Sequence, residues 1–218
     1  HLTAIRWALR SKNGKKDDAN HGFHSRSVET RVEIVPDRIF VHPLPQLLDN
    51  LGYLVVCLPQ SKRFKRAKSN EIGDNVVVDP TANADSAQIV AFVVDCGDAD
   101  AVKEMIKLIR TTFYGGRKIH VQSILSTHKH HDHTAGNRAM LKEDSVKLVF
   151  GGAVERVPAC NFPLANGAKL PLPKTGENDM NELVEVEAVA TPAHTRGSLT
   201  YVLRPLAGRG GCVFTGDT

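Results

Sequence analysis

The sequence predicts a mixed α and β fold, on three observations. Seven short apolar runs rich in β-branched residues recur along the chain, an amphipathic helix separates two of them, and the densest polar chemistry begins where one run ends. The 218 residues, 41% hydrophobic and 24% charged, can bury a core and are ordinary for a globular domain.

Taken in order, residues 1 to about 30 are basic, polar and unpatterned and are expected to form a poorly ordered lead-in, with 31–218 making one domain. The start Ile5-Arg6-Trp7-Ala8-Leu9-Arg10 would suit an organelle-targeting remnant, but Asp17 and Asp18 speak against one. A cytoplasmic location is expected, or a mitochondrial one if that segment is such a remnant. The apolar runs fall at 53–58, 89–94, 121–125, 147–150, 184–189, 199–203 and 212–214, each bounded by Gly, Pro, Asn or Asp, as strands are. Residues 98–112 (DADAVKEMIKLIRTT) put Val102, Met105, Ile106 and Ile109 on one helical face, with Asp98 or Asp100 placed to cap it. Residues 134–142 are a shorter helix candidate.

Two polar segments interrupt this order, 61–68 (SKRFKRAK) and 171–181 (PLPKTGENDMN), and both read as surface loops. Only one aromatic, Phe64, interleaves the basic run, which weakens a nucleic-acid reading. The 28 Lys and Arg against 24 Asp and Glu leave a formal charge of +4, too small to imply a polyanionic partner. Cys57, Cys96, Cys160 and Cys212 are far apart with no CxxC pair, so a zinc ribbon or dense disulfide framework is not indicated. No apolar run approaches the roughly 20 residues that span a bilayer, so no membrane partner is expected. The chain starts at His1 and stops just after an apolar run, so it is expected to be a piece of a longer protein.

The chemistry concentrates in THKHHDHTAGN, residues 127–137, which holds four of the ten histidines and an aspartate within six positions. It follows directly on the run 121–125, at the strand end where α/β folds keep their ligands. Residues two apart in an extended segment point the same way, so His128 and His130 can grip one ion while Asp132 and His133 reach another. Imidazole and carboxylate both suit zinc and similar divalent ions. A metal site requires further ligands at other strand ends. His194 in TPAHTRG follows the run 184–189, and Asp217 in VFTGDT follows 212–214. Thr127 and Thr195 are placed to hydrogen-bond ligands. Gly136, Asn137 and Gly197 are expected to shape turns.

The series HxHxDH, TAGN, TPAHTRG and VFTGDT, in this order, resembles the metallo-β-lactamase superfamily and, within it, glyoxalase II, the hydroxyacylglutathione hydrolases. Residues 48–55 (LDNLGYLV) resemble that family's opening strand and Val149-Phe150-Gly151-Gly152 its central strand and turn, so the resemblance covers roughly 40–218. It implies a four-layer αββα sandwich, of which this chain would supply the first half and the start of the second. It also implies that His128, His130 and His194 bind a first metal, Asp132 and His133 a second, and that Asp217 bridges them. A final histidine and the glutathione-binding part would lie beyond Thr218.

The implied cofactor is a pair of divalent ions, zinc with iron or manganese as alternatives. The implied reaction is hydrolysis of S-(2-hydroxyacyl)glutathione to glutathione and a 2-hydroxy acid by a metal-bridging hydroxide, with Asp132 orienting it. His131 and Ser198 depart from the family pattern, the latter where a histidine commonly follows the glycine. The main alternative is an iron-dependent persulfide dioxygenase of the same fold; a nuclease branch and a degenerate binding module are others.

Overall fold

The computed structural model describes residues 31–47, 50–60, 88–176 and 178–218. The lead-in and the basic run 61–68 lie outside the described residues. Among the described residues no helix is long and apolar enough to cross a membrane.

The first sheet is built from β1 (Val32–Val35), β2 (Ile39–Gln46), β3 (Asn50–Cys57), β4 (Ile89–Val94), β5 (Ile119–Leu125), β6 (Leu148–Gly152) and β7 (Phe162–Leu164), neighbours in that order. β1 to β4 pair antiparallel and β4 to β7 parallel. Between β4 and β5 the chain crosses over through α1 (Ala99–Phe113); two single turns, α2 (His131–Thr134) and α3 (Asn137–Met140), follow β5. The second sheet comprises β8 (Ala168–Lys169), β11 (Val184–Ala190), β12 (Leu199–Pro205) and β13 (Cys212–Phe214), in the order β13-β12-β11-β8. The segment 171–181, expected to be a loop, carries the small ribbon β9 (Lys174–Thr175) and β10 (Asn178–Asp179) and a 3-10 turn whose Met180 is fully buried.

Two cores explain the layering. On β4 the side chains of Val90, Phe92 and Val94 pack with Tyr201, Leu203, Val186 and Phe214 of the second sheet. Ile89, Ala91 and Val93 of the same strand pack under Val102, Met105 and Ile109 of α1. A strand buried on both faces has no polar alternation to show, which is why 89–94 reads as an unbroken apolar run. Helix, sheet and sheet therefore stack as three of the four layers expected, and the mixed α and β class holds.

Local chemistry sets the element ends. Asp98 is the residue that caps α1, its Oδ1 accepting from the N–H groups of Asp100 at 2.9 Å and Ala101 at 3.2 Å. The helix expected over 134–142 instead breaks into α2 and α3. At the break the Gly136 N–H donates to the Cys96 carbonyl at 2.9 Å, and a Cβ at 136 would collide with the Cys96 sulfur and the α1 backbone. Gly136 thus lets the turn that carries Asp132 and His133 lie flat on the start of α1.

β2 was not among the expected strands. Pro43 and Pro45 interrupt it, and β1 pairs only with Ile39 to Val41, so among the described residues the prolines sit where β2 is an edge and no N–H is needed on that side.

Candidate metal centre

Six side chains named from the sequence meet at one edge of the sandwich. β5 delivers the segment from Ser126 to His130, α2 supplies Asp132 and His133, the turn after β11 carries His194, and the turn after β13 carries Asp217. The donor atoms of His128, His130 and His194 lie within 4.8 Å of one another, and so do those of His128, His133 and Asp217. Nε2 of His194 and Nδ1 of His130 are 2.8 Å apart, and Nε2 of His128 is 3.1 Å from the same Nδ1. Asp217 stands between the groups. Its Oδ1 is 3.2 Å from Nε2 of His133, and its Oδ2 is 3.4 Å from Nε2 of His194 and 3.9 Å from Nε2 of His128. Oδ2 of Asp132 lies 3.4 Å from Nε2 of His133.

The donor set fits divalent cations. Nε2 of His133 is buried and makes no hydrogen bond among the described residues, although carboxylate oxygens of Asp217 and Asp132 stand 3.2 and 3.4 Å away. A buried ring nitrogen aimed at two carboxylates without bonding either suits a cation between them, and these nitrogen and oxygen donors are the kinds zinc, iron and manganese accept.

Around the donors lies a second ring of polar contacts. Asp95, at the end of β4, accepts from the Thr127 N–H at 2.7 Å and the Thr127 hydroxyl at 2.8 Å, and its Oδ2 is 3.0 Å from Nδ1 of His133. A carboxylate can only accept here, so Nδ1 of His133 carries the proton and Nε2 faces the donors. Asn50 donates to Oδ2 of Asp132 at 2.7 Å and to its backbone carbonyl at 3.1 Å. Tyr201 reaches across from the second sheet to donate to the Ser126 carbonyl at 2.8 Å. Gly216 adopts φ 57°, and any side chain there would collide with Thr127, so the turn bearing Asp217 closes against the β5 loop only with glycine.

Electrostatics agree with this division of labour. Burial, reinforced by the nearby His133, pushes the His128 pKa down, which keeps its ring neutral and its lone pair available. For His133, burial opposes a proton, but the hydrogen bond and charge of Asp95, with Asp217 and Asp132, outweigh it and raise the pKa. The same carboxylates that favour a proton on that ring favour a metal cation beside it. The Asn50 hydrogen bond holds the Asp132 carboxyl below its ordinary range, against the opposing effect of burial.

Comparison with known proteins fixes the family. The family model described as the Metallo-beta-lactamase superfamily matches residues 72–218. The chain belongs to the metallo-beta-lactamase superfamily. It is 30% identical over 175 residues to the cytoplasmic hydroxyacylglutathione hydrolase of Arabidopsis thaliana, covering 80% of this chain and 51% of that one. It is 31% identical over 114 residues to the hydroxyacylglutathione hydrolase of Nitrosomonas eutropha, covering 52% and 38% respectively. This metallo-beta-lactamase chain therefore spans about half or less of the length of the curated relatives it matches. A solved metallo-beta-lactamase from Staphylococcus aureus aligns at 12% identity and TM-score 0.48, over 83% of this chain and 42% of that one.

Several expectations for the metallo-beta-lactamase domain change in detail. Thr127 does lie 3.1 Å from Nδ1 of a donor histidine, His128. Thr195 instead donates to Glu155 and pairs with Ser198, 2.9 Å away. Gly197 was expected to permit a bend; its bareness makes room for Glu155, which a Cβ would strike. Asn137 starts α3 and is buried, donating to the Ser126 hydroxyl at 2.9 Å. Asp95, Glu155 and Asn50 were not singled out from the sequence. The signal for Asp95 was available: a single acidic residue closing a continuous apolar strand.

Proposed function

We propose that this domain carries the metal centre of a thioester hydrolase, acting on S-(2-hydroxyacyl)glutathione to give glutathione and a 2-hydroxy acid. The observation that carries the reading is the meeting of two donor groups that share His128 and have Asp217 between them. The hydrolase names of the relatives add the substrate class. His128, His130 and His194 would hold one divalent ion and Asp132 and His133 the other, with Asp217 shared. Bound there, two such ions, zinc being the foremost choice, supply an acidified water for attack and a Lewis acid for the carbonyl.

The chain's own residues do the rest. Asp132, fixed through Oδ2 by Asn50, is the carboxylate that accepts a hydrogen bond from the attacking water and aims it. Asp95 keeps the His133 lone pair turned inward. A cysteine nucleophile is disfavoured, because burial pushes the Cys96 and Cys212 thiols up to about 12 and the Cys57 thiol up to about 11. The one-iron oxygenase alternative finds no support in relatives named as hydrolases or in a pair of donor groups.

The deciding experiment is hydrolysis of S-lactoylglutathione by the full-length, metal-replete protein beside a His194→Ala control. Turnover that the control abolishes is expected. Absence of turnover in metal-loaded wild-type protein would overturn the substrate assignment.

A further inference from the structure

We infer that Glu155 is a positioning residue that clamps the loop bearing His128 and His130 to the loop bearing His194. This rests on the metal-centre reading given above. Glu155 follows β6 in the turn beside the centre, and its side chain is only 4% exposed. Its Oε1 accepts from the Lys129 N–H and from the Thr195 hydroxyl, both at 3.0 Å. Its Oε2 accepts from the Gly197 N–H at 3.3 Å and lies 3.7 Å from the Lys129 ammonium.

The placement of these donors in sequence is what gives the contact its meaning. Lys129 separates His128 from His130, and Thr195 directly follows His194. One carboxylate therefore touches the backbone between two members of the three-histidine group and the residue beside the third. Three hydrogen bonds and the nearby Lys129 ammonium engage most of the roughly four acceptor positions a carboxylate offers, and Glu155 belongs to neither donor group, so it acts through the loops and not as a donor to metal itself. Burying a carboxylate is costly unless it is bonded and paired, and both conditions are met here.

The surrounding sequence is shaped to admit the clamp. A Cβ on Gly197 would strike the Glu155 side chain, and a Cβ on Gly152 would strike the Gly197 carbonyl. Ser198 steadies the other end: its Oγ accepts from the Thr195 N–H at 3.2 Å and lies 2.9 Å from the Thr195 hydroxyl. The rings that the clamp brings together are close, with centroids 4.6 Å apart for His130 and His194 and 4.9 Å for His128 and His194.

The test is a Co2+ titration of the metal-free full-length protein, read by visible absorption and bound stoichiometry, on wild type, Glu155→Gln and Glu155→Ala. Thermal melts of each metal-free protein run alongside to separate unfolding from loss of binding. The alanine variant should weaken Co2+ uptake about tenfold to a hundredfold, the scale for groups that orient ligands, and alter the Co2+ spectrum. The isosteric glutamine variant should fall between: its single oxygen can still serve Lys129 and Thr195, while its amide N–H2 opposes the Gly197 N–H. Wild-type affinity and spectrum in both folded variants would overturn the clamp alone. A wild-type protein that takes up no Co2+ would overturn the metal centre and the clamp with it.

Discussion

Replacing Asp95 by asparagine isolates the tautomer control of His133. Asp95 has φ 53°, a left-handed conformation that asparagine also tolerates, so the backbone need not move. The side chain is 5% exposed and takes three donors: the Thr127 N–H, the Thr127 hydroxyl and Nδ1 of His133. An amide has one oxygen for them. With its N–H2 toward His133, that ring must present a bare Nδ1, which moves the proton to Nε2 and removes the lone pair facing Asp217. Loss of such an orienting carboxylate costs about tenfold to a hundredfold in metal affinity, or roughly 1.4 to 2.8 kcal/mol. With the amide flipped, its N–H2 meets the buried Thr127 N–H, and an unsatisfied buried donor costs about 1–3 kcal/mol of stability. Either way a loss of about 1–3 kcal/mol must appear in one of two readouts. Competition with a chromophoric chelator gives the affinity, and melts of the metal-free protein give the stability, at about 2–4 °C per kcal/mol for a domain of this size. Affinity within twofold of wild type together with an unchanged Tm would refute the assignment.

Two further outcomes follow from side chains already described. Asn50→Ala removes a hydrogen bond to a charged carboxylate, worth about 1.5–3 kcal/mol, so kcat should fall about tenfold to a hundredfold with KM little changed; steady-state kinetics showing kcat within twofold would remove Asn50 from the orientation of Asp132. His42, whose Nε2 lies 2.6 Å from the Tyr114 hydroxyl, has its pKa lowered from 6.5 to about 4, by burial first and then by Arg31. Below pH 6.5 the unfolded chain takes up a proton that the folded one refuses. The contribution is therefore intact above pH 6.5 and declines as pH falls toward 4, by about 3 kcal/mol in all. Urea midpoints at pH 7 and pH 4.5 should diverge less for His42→Gln than for wild type, and equal divergence would exclude His42 as the cause.

The sequence disclosed those parts of the molecule whose cause is local. Ile89–Val94 and Cys212–Phe214 coincide with the expected runs because their neighbours end them with turn residues. α1 was legible because its apolar spacing and its Asp98 cap lie within one segment. β2 was not, since two prolines mask a strand whose edge position only the pairing with the short β1 reveals. Three donor histidines were visible because they crowd with His131 into six positions after β5, and His194 and Asp217 because each follows a strand. Asp95, Glu155 and Asn50 act on residues between 26 and 82 positions away; only Asp95 carries a local mark, its place at the end of an apolar strand, and that mark does not reveal its partners. Such contacts exist only once two loops are brought together by the packing of whole sheets.

The donors' distribution over both sheets sets an order of events on the ribosome, where the chain emerges from its N-terminus. The segment holding His128 to His133 is complete while the second sheet is still unmade, His194 arrives only after β11, and Asp217 only after β13. A nascent chain stalled before β12 would offer metal a partial and weak grip, and the proposed centre gains the Asp217 carboxylate only once the β12–β13 hairpin has formed. Once bound, an ion that joins both sheets and is held only by the folded chain adds RT ln(1 + [M]/Kd) to stability, about 4 kcal/mol at a thousandfold excess over Kd. On the proposed metal centre, metal supply would then govern how much of the newly made protein survives.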